Sequence, residues 1–323
     1  MSQKLFFLIT AYVICIVSAV SNQNLDVEPL VIGGVEAVPH QYPWLVRLYV
    51  IQANGDLRRC MGSLISLDIV LTTASCANTD RERIIIVVAA GDHSISEVDG
   101  FEQSLNCQEF VIHENFNKTG NLENDIALVR LPTNLTETRA VRPIFLPLSS
   151  YDPIQATWGT VAGWGETEIS EGEPITRSDI LMKTNVTLID RQSCRQEFPS
   201  LNEQQQFCAE GNGKGAYKED IGTPLLCNGM TIFCGIFTRE VVNPETRKVV
   251  GLFLNVVLYL EWIELNVNPQ PPTTTTIPTS TTPKSDGSST STGTYLFTFV
   301  ISIPIVTLFS VTFGSAHINL NLR

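Results

Sequence analysis

The pattern of hydrophobic and polar positions divides the chain into segments of different character. Within residues 31–266, short runs of Val, Ile, Thr and aromatic residues alternate with breaks of Gly, Asn, Asp and Pro. Such runs, typical of strands joined by turns, include Trp44–Val50, Ile84–Val88 and Thr160–Trp164. Helical spacing is clear only in Val256–Ile263. The pattern predicts an all-β domain that ends in one C-terminal helix.

The N-terminal segment has the layout of a secretory signal peptide. Lys4 precedes the apolar run Leu5–Val17, and small residues follow as far as Ser21. The run is short for a membrane span, and no stop-transfer charge follows it, which disfavours a membrane anchor or a buried helix. We therefore predict a signal peptide over residues 1–21 and a short leader over residues 22–30.

Two further segments follow the domain. Residues 267–294 are rich in Pro, Thr and Ser and hold too few apolar residues to fold. This composition predicts an O-glycosylated stalk or a plain linker. Residues 295–323 begin with an uncharged apolar run long enough to cross a hydrocarbon core of about 30 Å. Small residues at 285–288 ahead of a polar spacer favour a GPI-attachment signal, with a single-pass span as the alternative. Either places the domain on the extracellular side of the plasma membrane.

The net charge of the chain restricts the classes of molecule that it can bind. The chain of 323 residues has 33 Asp and Glu against 21 Lys and Arg, a formal net charge of −12. Such a surface repels phosphates, so nucleic acid is excluded as a ligand and extracellular proteins are favoured. The sequence has no CxxC or HExxH spacing, and we predict no metal site and no cofactor.

Secretion also changes the interpretation of cysteines and asparagines. Of eight cysteines, Cys15 leaves with the signal peptide and seven remain as disulfide candidates, so at least one is free or bonded to another molecule.

Three Asn-X-Thr sequons are candidate N-glycosylation sites, the alternative being ordinary surface asparagines. These sequons begin at Asn117, Asn134 and Asn185.

Five motifs follow one another in the domain. They are Val31–Gly34, the Cys60–Cys76 segment, Asn124–Leu128, Val161–Gly165 and Asp220–Leu225. In this order and spacing they resemble the trypsin-like (chymotrypsin-fold, peptidase S1) serine proteases. The resemblance covers residues 31–266 and implies two packed six-stranded antiparallel β-barrels with a C-terminal helix.

The resemblance also assigns the positions of a catalytic triad. The family mechanism uses a serine nucleophile, a histidine base and an aspartate that orients the histidine. In this chain Ser75 stands at the histidine position and Ile221 at the serine position, while Asp125 is retained. An isoleucine has no lone pair, and a serine is no base near neutral pH. The resemblance therefore implies an inactive member of the family.

No histidine stands at a matching position. The four histidines are His40, His93, His113 and His317. Each is expected to be an ordinary solvent-facing side chain.

The oxyanion and specificity regions also depart from the family. Glu219 replaces a glycine whose N–H helps to bind the oxyanion, and its carboxylate opposes negative charge there. The resemblance places the uncharged Gly215 at the floor of the specificity pocket. Tyr217 replaces a cysteine beside that pocket, and Arg239-Glu240 replaces the usual Trp-Gly. We predict a reshaped groove.

The family's activation switch is retained in part. The resemblance implies an ion pair between the ammonium of a new N-terminus at Val31 and the carboxylate of Asp220. Leu30 precedes Val31, so a tryptic activator cannot cut there. Either a leucine-preferring enzyme processes the chain, or the leader stays attached; we favour the second.

The resemblance implies two disulfides, Cys60–Cys76 and Cys194–Cys208. The usual partner of Cys227 is replaced by Gly159, and Cys227 and Cys234 flank a predicted hairpin across which they can pair. Cys107 has no counterpart in the family and is the candidate for a free or intermolecular thiol.

Together these features predict a non-catalytic serine protease homologue, a pseudoprotease, at the cell surface. Its predicted action is the binding of proteins or the regulation of proteolysis. The alternative is an active trypsin-like endopeptidase with replacement catalytic residues that the motifs do not reveal.

Overall fold

The structure is a computed structural model that describes residues 34–52, 54–77, 84–118, 120–165, 177–212, 215–230, 232–243, 245–246 and 248–268. The predicted signal peptide, leader, stalk and anchor segment lie outside the described residues, as do Val31 and His317. None of the helices in the described ranges is long and apolar enough to cross a membrane.

Strands make up most of the described chain. They are β1 (Val35–Glu36), β2 (Leu45–Ile51), β3 (Leu57–Ser66), β4 (Ile69–Thr72), β5 (Ile85–Ala90), β6 (Gln103–Asn106), β7 (Glu109–Ile112), β8 (Ala127–Arg130), β9 (Trp158–Gly163), β10 (Met182–Ile189), β11 (Gln206–Asn212), β12 (Pro224–Leu226), β13 (Ile232–Val242) and β14 (Lys248–Asn255). The α-helices are α1 (Ala74–Ala77), α2 (Arg191–Glu197) and α3 (Leu260–Val267). A kinked turn at Cys227–Met230 joins β12 to β13.

The N-terminal half forms a seven-stranded antiparallel sheet in the order β6-β5-β2-β3-β4-β8-β7. In β2 the side chains of Val46, Leu48 and Val50 are buried, and they alternate with partly exposed residues. This period of two is what a strand with one face on a core requires. The buried face packs with residues of the neighbouring strands such as Leu64 and Val88. Since the described edge strands β6 and β7 do not pair with each other, the sheet is a half-barrel.

The C-terminal half is a closed barrel. Its strands follow the order β10-β11-β14-β13-β12-β9, and β9 pairs back onto β10, with β1 added outside β10. Phe207, Phe237 and Phe253 fill its centre. The ring centroids of Phe237 and Phe253 lie 5.5 Å apart. The predicted all-β, two-barrel fold is confirmed, with one closed six-stranded barrel and one half-barrel in place of two equal barrels.

A hydrophobic cluster between the two sheets joins them to the C-terminal helix. It includes Met61, Trp164 and Ile263. The predicted helical segment begins as a 3-10 turn, Val256–Tyr259, and continues as α3. The side chain of Asn255 accepts a hydrogen bond from the N–H of Val257 at 3.1 Å and caps this turn. The candidate site lies where the two sheets meet.

Candidate functional site

Asp125 and Ser75 form the buried polar contact at the junction of the sheets. Ser75 lies in α1, just after β4, and Asp125 lies just before β8. The Asp125 carboxylate has no exposed surface and accepts two hydrogen bonds from Ser75, one from the N–H at 2.6 Å and one from the hydroxyl at 2.9 Å. Burial raises the pKa of Asp125 to about 6, although both Ser75 donors and the charge of Arg58 oppose the shift.

Arg58 also holds the backbone of Ser75. Its guanidinium donates to the carbonyl oxygen of Ser75 at 2.7 Å. In the described part of the chain, the side chain that hydrogen-bonds to the Asp125 carboxylate is therefore a hydroxyl, and not an imidazole. A hydroxyl in this place has no basic nitrogen with which to take a proton from a nucleophile.

Ile221 lies close to this pair. Its carbonyl oxygen accepts a hydrogen bond from the N–H of Met61 at 2.7 Å. Its side chain packs against the cluster that contains the Cys60–Cys76 disulfide, and the sulfur of Cys76 lies 3.7 Å from the Ile221 carbonyl oxygen. The structure thus brings the three predicted triad positions to one place, and the side chain at the predicted nucleophile position is a hydrocarbon.

Asp220 is buried beside the site. Its carboxylate accepts hydrogen bonds from the N–H of Gly165 at 2.8 Å and the N–H of Tyr217 at 3.1 Å. Burial, together with the charges of two nearby glutamates, raises the pKa of Asp220 to about 7. A Cβ at Gly163 would lie 2.0 Å from the carboxylate, which explains why the Val161–Gly165 motif needs glycine there. The predicted partner of Asp220, Val31, lies outside the described residues.

Glu219 is paired rather than isolated. Its carboxylate lies 2.5 Å from Nε of Arg177 and 3.6 Å from a guanidinium nitrogen of Arg59. All three side chains line a cavity of about 330 Å³ with Trp164 and the exposed Ile95. The two arginines offset much of the negative charge, so the repulsion of an oxyanion is weaker than the sequence implies. The sequence did not predict a role for these arginines, although Arg59 directly precedes Cys60.

Side chains pack closely around the predicted specificity pocket. Tyr217 is 8% exposed and packs with Val249 and Val242. A Cβ at Gly215 would lie 3.0 Å from Val249, so little space remains beside this glycine. The guanidinium of Arg239 lies 5.1 Å from the centre of the Phe198 ring and packs against the body of the barrel.

The expectation that the histidines face solvent is wrong for the three in the described part of the chain. The side chains of His40, His93 and His113 are 8%, 13% and 10% exposed. His40 pairs with Asp99 at 2.9 Å and His93 with Glu36 at 3.0 Å, contacts that favour burial.

His113 lies against two aromatic rings. Its centroid is 5.5 Å from that of Tyr259 and 5.2 Å from that of Trp262. Burial lowers the pKa of His113. In the described part of the chain, no histidine side chain hydrogen-bonds to the carboxylate of Asp125.

Among the residues that the structure describes, three disulfides join Cys60 to Cys76, Cys194 to Cys208 and Cys227 to Cys234. Cys107 is a free thiol, and burial raises its pKa to about 11. This thiol donates to the carbonyl oxygen of Glu109 at 3.0 Å.

The three sequon asparagines are exposed. Asn117 and Asn134 lie outside the strands, and Asn185 lies within β10. Within the described ranges, no group of three or more His, Cys, Asp or Glu side chains is arranged to hold a metal ion.

Comparison with known proteins gives consistent matches. The family model described as Trypsin matches residues 31–263. The chain is 30% identical to brachyurin of Leptuca pugilator over 72% of its own length and 97% of that protein. It is 31% identical to chymase of Papio hamadryas, over 72% and 89% of the two chains. A solved structure described as "Structure of GrC" superimposes with a TM-score of 0.63 at 27% identity and covers 73% of this chain and 98% of its own.

Proposed function

We propose that this chain, which belongs to the trypsin family of serine proteases, is a non-catalytic member that acts by binding proteins or regulating proteolysis. The observation that carries the proposal is the contact between Ser75 and Asp125. The carboxylate that orients an imidazole in an active enzyme accepts its side-chain hydrogen bond from the hydroxyl of a serine, and the backbone N–H of the same serine also donates to it.

The chemistry of hydrolysis supports this proposal. Attack on a carbonyl carbon needs a lone pair, which the Ile221 side chain lacks. Proton transfer needs a base, and the side-chain contacts of the three described histidines are with groups other than the Asp125 carboxylate. Loss of the nucleophile alone costs a triad enzyme about a millionfold in rate, or about 8 kcal/mol of barrier.

The packing around Tyr217 supports a protein that binds other proteins and does not cleave peptides. Since Tyr217, Val249 and Val242 pack together beside Gly215, a substrate side chain has little room to enter there. The barrels and their disulfides are nevertheless intact, so the chain retains a stable surface. Its net charge of −12 favours extracellular proteins over nucleic acid as partners.

A fluorophosphonate probe, which reacts with an activated serine, tests the proposal. The wild-type protein is expected to remain unlabelled and to leave a broad peptide library uncut. Ile221→Ser is expected to remain unlabelled too, because no base activates the new hydroxyl. The double variant Ser75→His, Ile221→Ser supplies both groups and is the matched comparison, with an active relative as positive control.

Stable labelling of the folded wild-type protein, lost on denaturation, is the result that would overturn the proposal. It would support the alternative, an active endopeptidase with replacement catalytic residues. Peptide mapping of the labelled residue would then identify the nucleophile.

The predicted signal peptide, stalk and apolar tail support display on the extracellular side of the plasma membrane. Phosphatidylinositol-specific phospholipase C distinguishes the two anchors on intact cells. Release of the protein supports a GPI anchor. Retention supports a single-pass span, and secretion of unanchored protein contradicts display.

A further inference from the structure

One face of the closed barrel places a sequon beside an exposed aromatic ring. In the antiparallel pair β9–β10, Asn185 lies opposite Thr160 and Thr187 lies opposite Trp158. These four residues share one face of the strand pair, on which Thr160 is buried and the other three are exposed, while Val186 and Gly159 between them face the core. The threonine of the sequon Asn185-Val186-Thr187 therefore lies directly opposite Trp158, and the acceptor asparagine lies diagonal to it on the same face.

The Asn185 amide is held in a defined orientation. Its Oδ1 accepts a hydrogen bond from the hydroxyl of Thr160 at 2.9 Å, and Thr160 is only 2% exposed. No acceptor for Nδ2 of Asn185 is found among the described residues, and the asparagine is exposed. The amide nitrogen that carries a glycan is thus left available, while the other end of the amide is fixed.

Trp158 provides a flat apolar surface at this position. It is 40% exposed, whereas the other tryptophans of the described chain are buried or partly buried. Diagonal neighbours on one face of an antiparallel pair lie about 7–8 Å apart, within reach of a side chain that carries a sugar. The face of an indole ring is electron-rich and attracts the C–H groups on one side of a pyranose ring.

We propose that Asn185 carries an N-linked glycan whose first sugar ring, an N-acetylhexosamine, lies on the indole of Trp158. The glycan comes from a lipid-diphosphate-linked oligosaccharide. A bond forms between Nδ2 of Asn185 and C1 of the sugar, and the C1–O bond to the diphosphate breaks. Nδ2 loses one proton, and the lipid diphosphate leaves with the bonding electrons.

This arrangement gives the exposed Trp158 a partner and fixes the direction in which the glycan leaves the barrel. The strands β9 and β10 have this register whether or not the protein cuts peptides, so the glycan is expected in either case.

Occupancy is tested first, on the full chain secreted from cultured animal cells. Thr187→Ser keeps the sequon, whereas Thr187→Val removes it and keeps the branched shape opposite Trp158. Mass spectrometry of the peptide that contains Asn185 is expected to find the glycan in the wild-type and Thr187→Ser proteins and none in Thr187→Val. An unmodified Asn185 in secreted wild-type protein would overturn the proposal.

Contact between sugar and ring is tested by a thermodynamic cycle. The Tm of the Thr187→Val protein is expected to lie about 2 °C below that of the Thr187→Ser protein when Trp158 is present. In a Trp158→Ala background the same difference in Tm is expected to be less than about 1 °C. Equal losses in both backgrounds would overturn the contact.

Fluorescence provides an independent measurement that holds even if Trp158→Ala folds poorly. The fluorescence of Trp158 is obtained as the difference in emission between the wild-type and Trp158→Phe proteins. Acrylamide is expected to quench this fluorescence about twofold more strongly without the glycan than with it. Equal quenching in both states would also overturn the contact. Asn117→Gln removes a sequon distant from Trp158 in the chain and is expected to leave the quenching unchanged.

Discussion

Ser75 donates both its backbone N–H and its hydroxyl to the carboxylate of Asp125, at 2.6 Å and 2.9 Å. The carboxylate is completely buried, so these two donors replace part of the hydration that it loses on folding. Ser75 therefore stabilises the charged form of an aspartate that burial drives towards the neutral form.

Ser75→Ala removes the hydroxyl donor and is expected to destabilise the fold by about 1–3 kcal/mol at pH 8. The loss is expected to be smaller at pH 5, where Asp125, with a pKa of about 6, is mostly protonated in the folded state. Urea denaturation at the two pH values measures both losses. Ser149→Ala, at an exposed position, is the control and is expected to change stability little. A larger loss at pH 5 would contradict this account.

Asp220 is expected to make the fold less stable as the pH rises. Its pKa is about 7 in the folded protein against an ordinary value of 3.8, so between about pH 4 and pH 7 the folded state holds a proton that the unfolded state has lost. Stability from this residue is thus present below pH 4 and falls as the pH rises through 7. Asp220→Asn removes this pH-dependent contribution to the free energy of unfolding.

The measurement for Asp220 is the difference in unfolding free energy between wild type and Asp220→Asn. From pH 4 to pH 8 this difference is expected to shift against the wild type by on the order of 2–4 kcal/mol. A difference that is independent of pH would show that the carboxylate is charged throughout.

The identity of the N-terminal residue in the secreted protein tests the predicted activation switch. We expect N-terminal sequencing of secreted protein to give Asn22, because Leu30 is not a tryptic site. In protein engineered to begin at Val31, an ion pair with the new ammonium would lower the pKa of Asp220 and abolish or reverse its pH dependence. An unchanged dependence in that protein would contradict the ion pair.

Cys107 is expected to remain a reduced, slowly reacting thiol. With its pKa raised to about 11 from 9.0, its thiolate fraction at pH 8, and hence its rate of alkylation by iodoacetamide, is expected to be about 100-fold below that of the unfolded chain. Mass spectrometry with and without denaturant measures the ratio. A disulfide-linked dimer on a non-reducing gel, absent from Cys107→Ser, would support the intermolecular alternative.

The disulfides are expected to differ in their contributions to stability. Cys60–Cys76 closes a sequence separation of 16 residues and Cys227–Cys234 one of 7. Double alanine variants are expected to lose about 3 kcal/mol and about 2 kcal/mol, because a longer loop restricts the unfolded chain more. Chemical denaturation measures both losses, and the reverse order would contradict this explanation.

The order of the five motifs and the period of two along the strands predicted the fold by themselves. These signals are local, since a strand such as β2 is specified by alternating side chains and a turn by a few residues. The same local comparison assigned Ser75 and Ile221 to triad positions. The start of the last helix was harder to predict, because apolar spacing alone does not distinguish the 3-10 turn Val256–Tyr259, capped by Asn255, from the first turn of an α-helix.

Contacts between distant residues were decided only by the packing of the two sheets. The pairing of Glu219 with Arg59 joins residues from different halves of the chain, and the burial of His93 depends on Glu36, far away in sequence. Which polar groups meet depends on how the two sheets pack, and not on any local pattern. The sequence by itself predicted the fold, and it predicted a serine, Ser75, in place of the histidine that would pair with Asp125. Only the tertiary structure decided that Ser75 turns both of its donors towards that carboxylate.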